Sequence, residues 1–327
     1  MRVAKALALI SGSLDSEVAA KLMKQAGIDL TCAEFACPFQ HRTNVKETAA
    51  RLDAPLLALE PDSTFLDVVR RPRFNFGGGP LSCLECRLRM LTTANERRVA
   101  IGADIVVTGE VLGQRATNQS RRQIDLITYH SGAEDHLLRP LSAKLLGEPA
   151  TASKFGISIP SCNISGSGRR PIKELARRLG IPDVDRPGPI CRLYDPGYMA
   201  RLDDLLIHQA DVTAADIDLL LLGRHYRLNG ESKVIVGRNA QDNEAIAHWY
   251  KQHLRGRLFV PANFQCASAL LIGQTENGAE IAMSLSAYRK SVPLTGVYQF
   301  YVEEEIVTLG SNVDIQTLKP IQAGERV

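Results

Sequence analysis

Lys5-Ala-Leu-Ala-Leu-Ile10 runs directly into Ser11-Gly12-Ser13-Leu14-Asp15-Ser16, and the reading of these twelve residues decides the fold. The first six are an apolar run of strand length. The next six hold a glycine, three hydroxyls and a carboxylate, and Asp15–Ala26 continues with helical spacing. A strand that turns sharply into a helix aims free backbone N–H groups and the positive end of the helix dipole at one point, which favours an anion. Gly12 lets the backbone approach without a Cβ. Ser11, Ser13 and Ser16 add donors, and Asp15 can orient an N–H or help hold Mg²⁺ on bound phosphates. An ordinary helix N-cap by Ser13 or Asp15 explains the same six residues in isolation. The Walker A and dinucleotide Gly-x-Gly-x-x-Gly patterns are both absent.

Outward from this loop, short apolar runs alternate with helical stretches. Strands are expected at Leu30–Ala36, Pro55–Leu59 and Asp104–Thr108, and helices at Thr43–Leu52 and Leu84–Gly102. Such alternation gives an α/β fold, a parallel sheet with helices on both faces and ligands at the carboxyl ends of the strands. Glycine and proline break the pattern between Leu137 and Leu222, where only Pro171–Leu179 and Tyr198–His208 read as helices. Beyond Gly223, His225–Leu228 and Lys233–Gly237 flank Asn229-Gly230, a hairpin signal. Asn239–His253 reads as a helix, and Arg257–Val260, Ala267–Ile272, Ile281–Leu285 and Val297–Val302 as strands. The expected domains are 1–140, a nucleotide-binding domain; 141–222, a central adaptor region; and 223–327, a small C-terminal α+β domain.

The chain has 327 residues, 45% of them hydrophobic and 23% charged, which are ordinary globular values. No apolar run approaches the roughly 20 residues of a membrane span, and the N-terminal run is too short for a signal-peptide core. A cytoplasmic protein with no membrane partner is expected. The net charge of +3 argues for no partner alone. Seven arginines lie between Arg70 and Arg98 and four between Arg169 and Arg178. Each cluster reads either as a solvated helix face or as a grip on phosphates.

Seven cysteines are present: Cys32, Cys37, Cys83, Cys86, Cys162, Cys191 and Cys266. The odd number argues against a disulfide framework. Cys83 and Cys86 share one helical face near an N-terminus, where thiolates are favoured. They read as a dithiol, as part of a metal or cluster site with Cys191, or as a structural pair. Cys37 falls just past a strand, near the expected nucleotide mouth. Cys32 reads as core, Cys266 as core or surface of the small domain, and Cys162 as a further zinc ligand at most.

The loop at 11–16 resembles the Ser-Gly-Gly-x-Asp-Ser loop of the PP-loop ATP pyrophosphatases, whose fold is adenine nucleotide alpha hydrolase-like. Ser13 replaces the usual second glycine. Thr108-Gly-Glu-Val-Leu-Gly-Gln-Arg115, Pro80-Leu-Ser-Cys83-Leu-Glu-Cys86-Arg-Leu-Arg-Met-Leu91 and Pro189-Ile-Cys191-Arg-Leu-Tyr-Asp-Pro196 are similar, in order and spacing, to segments of the tRNA thiouridylase and 4-thiouridine synthetase enzymes. The resemblance covers roughly residues 4–210. It implies an ATP-dependent sulfurtransferase that adenylates a uridine carbonyl of tRNA and then replaces the oxygen with sulfur. It assigns ATP and Mg²⁺ to Ser11, Gly12, Ser13, Asp15 and Ser16, places Phe35, Gly109 and Glu110 around the nucleotide, and gives Asp15, Cys86 and Cys191 catalytic roles. It also implies sulfur carried as a cysteine persulfide, or on a [4Fe–4S] cluster held by Cys83, Cys86 and Cys191, and supplied by a donor protein or free sulfide. Residues 223–250 resemble the RNA-binding domain of the NFACT ribosome-quality-control proteins, against which a docking or dimerisation domain stands as the plainer reading. The oligomeric state stays open. Two other functions remain: a pyrophosphatase core acting on a small carbonyl substrate, and a non-catalytic RNA- or cluster-binding factor.

Overall fold

A computed structural model describes residues 2–40, 45–62, 64–70, 73, 82–157, 162–186, 188–288, 297–310 and 315–322. Thr43 and Asn44 of the second expected helix, and Pro80 and Leu81 of the cysteine segment, lie outside the described residues. The chain divides into two compact units, Met1–Cys191 and Arg192–Val327.

The first unit runs β1 (Lys5–Leu9), α1 (Leu14–Gln25), β2 (Asp29–Phe35), α2 (Val45–Arg51), β3 (Leu56–Leu59), α3 (Asp67–Arg70), α4 (Ser82–Ala100), β4 (Ile105–Thr108), α5 (Arg121–His130), β5 (Leu137–Leu138), α6 (Ala143–Leu146), α7 (Ala150–Lys154) and α8 (Arg170–Arg178). Its strands form one parallel sheet in the order β3-β2-β1-β4-β5. Ala6 and Ala8 of β1 join α1 in one core, while Leu7 and Leu9 are equally buried on the other face, where α4 contacts β1 and β4. Burial on both faces is why these strands read as continuous apolar runs. The strand order reverses between β1 and β4, so a crevice opens at the carboxyl ends of these two neighbours.

The expected adaptor region is shared between the units. Leu141, Ala152, Ile157, Ile164, Ile172, Ala176 and Ile181 belong to the first core. From Arg192 onward the chain belongs to the second unit, which adds α9 (Pro196–His208) and α10 (Ala214–Leu219) to β6 (Arg224–Arg227), β7 (Lys233–Val236), α11 (Ala240–His253), β8 (Arg257–Pro261), β9 (Ala269–Ile272), α12 (Gly278–Ala287), β10 (Gln299–Val302) and β11 (Glu305–Thr308).

Its strands form an antiparallel sheet in the order β11-β10-β8-β9-β7-β6. The expected hairpin is β6–β7, and Asn229 Oδ1 accepts from the Glu231 and Ser232 N–H groups at its turn. Val234 and Val236 face α12, while Ile235 faces Ile246 and Trp249 of α11, so helices cover both sides. One expectation is corrected: Ile281–Leu285 is not a strand but lies inside α12. Ala282, Met283, Ser284, Leu285, Ser286 and Ala287 are all buried, so no polar stripe marks the helical period. Among the described residues no helix is long and apolar enough to cross a membrane.

Candidate active site

The loop between β1 and α1 takes its shape from Gly12, whose φ of 73° is the left-handed turn that L side chains resist. Ser13 has φ −72° and ψ 153°, ordinary extended backbone. The serine in place of a second glycine is therefore unstrained, because the left-handed position belongs to Gly12. Ser13 is the N-cap of α1, and its Oγ accepts from the Ser16 N–H at 3.3 Å. The Ser11 N–H donates to Ser16 Oγ at 3.2 Å, and Ser16 Oγ donates to the Ser13 carbonyl at 3.0 Å.

Gly109 follows β4 and rests on the first turn of α1. A Cβ there would lie 2.5 Å from Ser16 N and 2.6 Å from the Asp15 carbonyl carbon. Two backbones meet at this point, so only glycine fits. Arg186 also reaches the loop: its Nε donates to the Gly12 carbonyl at 3.1 Å and its Nη2 pairs with Glu17. Arg51 holds Glu17 from the other side at 2.8 Å through both Nε and Nη2. Burial works to raise the Glu17 pKa, but the two guanidiniums outweigh it and the carboxyl stays below its ordinary range.

Asp15 is buried in the first turn of α1. Gln114 Nε2 donates to its Oδ2 at 3.4 Å, and Arg169 Nη2 lies 3.7 Å from Oδ1. Oδ1 makes no hydrogen bond. Burial raises the Asp15 pKa, and Arg169, Gln114, Arg115 and Arg186 oppose it only in part. A buried carboxylate oxygen without a donor, ringed by arginines, suits a place where a divalent cation and an anionic group meet. Mg²⁺ on bound phosphates needs only one or two such carboxylates.

Glu110 is buried among its partners. Arg87 Nε donates to Oε1 at 2.7 Å and Arg139 Nε to Oε2 at 2.8 Å, with Thr108 Oγ1 donating at 3.2 Å. Burial raises its pKa, but Arg87 and Arg139 overcome this and bring it to about 2. This carboxylate therefore ties α4 and Arg139, the residue after β5, to the end of β4. Phe35 closes β2 with its ring 5.3 Å from Phe65.

Four of the seven cysteines gather past the end of β2. The Cys37 N–H donates to the Phe35 carbonyl at 2.8 Å, and the Cys37 carbonyl accepts from the Gln40 N–H at 3.2 Å. Gln40 forms an antiparallel bridge with Cys191. Cys83 and Cys86 lie in the first turns of α4. Cys86 is hydrogen-bonded to Cys37 and sits within electrostatic reach of Cys191 and Cys83. The Cys37 contact, burial and the neighbouring sulfurs together push the Cys86 thiol well above its usual range. All seven cysteines lack disulfides.

Cys162 packs on the first core, where burial raises its thiol pKa, and Cys32 lies inside that core with its thiol pushed up to about 11. Cys266 belongs to the second unit, its Sγ donating to the Ser286 carbonyl at 2.7 Å. Among the described residues no group of three or more His, Cys, Asp or Glu side chains is arranged to hold a metal ion. The sulfurs of Cys37, Cys83 and Cys191 are the neighbours of Cys86.

β1 and β2 are adjacent parallel strands, so the anion loop and the cysteine turn leave the same end of the sheet. Sequence reasoning singled out the loop and the sulfurs of Cys83, Cys86 and Cys191 as candidates, and noted Cys37 near the expected mouth. It counted Arg87 and Arg169 only as members of arginine clusters and did not single out Arg139 and Arg186, because pairings with Glu110, Asp15 and Glu17 over 23 to 169 positions carry no local signature.

Residues 2–144 match a protein family described as Thiamine biosynthesis protein (ThiI). The chain is 25% identical over 243 residues to the tRNA-specific 2-thiouridylase MnmA of Azorhizobium caulinodans, covering 66% of this chain and 58% of that one. It is 27% identical over 221 residues to the MnmA of Salinispora tropica, covering 60% and 57%. The chain is similar to tRNA-thiolating enzymes. It spans little more than half the length of these two relatives. A solved structure of a 4-thiouridine synthetase–RNA complex with bound ATP matches 54% of this chain and 52% of that one, at 21% identity and a TM-score of 0.36.

Proposed function

We propose that this chain is an ATP-dependent sulfurtransferase that thiolates a uridine of tRNA. The observation that carries the reading is the placement of a sulfur group centred on Cys86 at the same sheet end as an anion loop built from Gly12, Ser13 and Gly109. Similarity to thiouridylases supports the choice of tRNA as substrate.

ATP is a substrate whose phosphates the backbone and hydroxyls of 11–16 would receive at the positive end of α1. Asp15 Oδ1 would hold Mg²⁺, which neutralises charge on the leaving pyrophosphate. A uridine carbonyl oxygen attacks the α-phosphate, the α–β bond breaks, and the base is left as an adenylate. Arg169 and Arg115, the cations around Asp15, would steady the pyrophosphate. A persulfide on Cys86, loaded by a donor protein or from another persulfide, then attacks the ring carbon and AMP leaves. Cys191 and Cys83 border that sulfur. The second unit, with its resemblance to an RNA-binding domain over residues 223–250, would hold the tRNA.

The test is pyrophosphate release by the whole chain with ATP and unmodified tRNA, together with mass spectrometry of the tRNA nucleosides. Release that requires tRNA, with a new thionucleoside, supports the reading. Release with a small carbonyl compound and no RNA supports a pyrophosphatase of another kind. Absence of nucleotide binding leaves a non-catalytic factor. A visible charge-transfer band in anaerobically purified protein would return the sulfur source to a cluster.

A further inference from the structure

We infer that the cleft between α5 and β5 binds an aliphatic ω-aminocarboxylate, its carboxylate on Arg139 and its ammonium on Glu134 and Glu148. None of these residues belongs to the anion loop or the cysteine group, so the assignment goes beyond the thiolation reading.

The cleft has a volume of about 240 Å³, and Ile124 of α5, Leu137 of β5, Leu146 and Pro149 supply its apolar walls. The walls are tied together by contacts that need no ligand. Arg121 Nη1 donates to the Leu145 carbonyl at 3.0 Å, which joins the end of α6 to the start of α5. The Thr151 N–H donates to the Asp135 carbonyl at 3.1 Å, which joins α7 to the loop before β5. Apolar walls with a few placed polar groups are the usual make-up of a small-molecule site.

Arg139 lines the same cleft and is only 6% exposed. Its Nε is taken by Glu110, but its Nη2 is buried with no hydrogen-bond partner. Its charge is not fully answered either. Arg87 and Arg139 share the single carboxylate of Glu110, so the three side chains together carry a surplus positive charge. A buried donor without an acceptor and a buried cation without its counter-charge both cost free energy. One carboxylate placed on Nη2 removes both costs.

Glu134 and Glu148 line the cleft from exposed positions, and neither has an ion pair or hydrogen bond among the described residues. The other carboxylate in the lining, Asp125, is paired with Arg121 at 3.0 Å. Negative charge therefore stands at the mouth and positive charge at depth, with aliphatic side chains in between. A simple anion is repelled at the mouth, and a simple cation leaves Arg139 unmet. A short aliphatic chain with a carboxylate at one end and an ammonium at the other answers both ends. An α-amino acid carries the two charges on one carbon and does not span the walls.

The experiment titrates the full chain with 5-aminovalerate, valerate, pentylamine and glycine by ligand-observed NMR, without ATP or tRNA. The expected result is 5-aminovalerate bound about tenfold more tightly than each of the other three, the scale of one charge-assisted contact. Glu134→Gln/Glu148→Gln changes two exposed side chains. It is expected to bring 5-aminovalerate down to the affinity of valerate, with valerate bound no more weakly than by wild type. Arg139→Gln should abolish binding of both carboxylates. Because that change also removes a partner of Glu110, the double variant decides the matter if Arg139→Gln does not fold. Equal binding of 5-aminovalerate and valerate, or of 5-aminovalerate and pentylamine, reveals a site for a single charge and overturns the inference. Glycine bound as tightly, an unchanged affinity in the double variant, or no binding of any probe overturns it too. With neither ATP nor tRNA present, failure here leaves the thiolation reading standing, and failure of that reading leaves this site untouched.

Discussion

Gly109 and Ser16 meet backbone to backbone, with room for a hydrogen where a Cβ would sit 2.5 Å from the Ser16 nitrogen. The end of β4 is thereby pressed onto the first turn of α1, and the two carboxyl-terminal strand ends that frame the crevice are locked together. Gly109→Ala must push the helix N-terminus away. Overpacking of this kind costs about 1–3 kcal/mol. The expected outcome is a lower melting temperature and weaker ATP binding by calorimetry, with the larger loss in binding.

Ser13 makes a contrasting case. It caps α1 from ordinary extended backbone, so glycine offers it no conformational relief. Ser13→Ala should cost about 1 kcal/mol and Ser13→Gly only a few tenths. Denaturant midpoints check the order, and a stabilising Ser13→Gly would contradict it.

Glu110 predicts an acid limit for the first unit. Its pKa falls from 4.5 to about 2 on folding, so the ionised carboxylate is the stabilising form. Its contribution is complete above about pH 4.5 and is lost as pH falls toward 2. Glu110→Gln leaves Arg87 and Arg139 facing a neutral group, and breaking a buried pair of this kind costs about 3–5 kcal/mol at neutral pH. The variant should also lose less stability than wild type between those two pH values, as acid titrations followed by circular dichroism would show.

Arg186 joins the loop carbonyl of Gly12 to Glu17 from far along the chain. Arg186→Gln keeps a donor but removes the charge. The expected cost is about 1–3 kcal/mol, a rise in the KM for ATP, and a Glu17 that depends on Arg51 alone. Steady-state pyrophosphate assays separate the KM effect from any change in kcat.

The alternation of strand and helix in the first unit was legible because strands buried on both faces are plain apolar runs, as Ile105–Thr108 shows. The loop was legible because strand, Gly12 and helix are contiguous. Ile281–Leu285 misled for the opposite reason, since a helix buried on nearly every side has no polar stripe. The fourth sulfur at Cys37 was visible as a residue near the mouth, but its partnership with Cys86 exists only after β2 and α4 are brought together. The partnerships of Arg87, Arg139, Arg169 and Arg186 with Glu110, Asp15 and Glu17 were hidden for the same reason.

The most direct measurement of the central claim compares wild-type protein and Cys86→Ser in one reaction with ATP and unmodified tRNA, counting pyrophosphate and thionucleoside together. The account predicts one thionucleoside per pyrophosphate for wild type, and tRNA-dependent pyrophosphate with no thionucleoside for the variant. Pyrophosphate release indifferent to tRNA, or undiminished thiolation by Cys86→Ser, would contradict it.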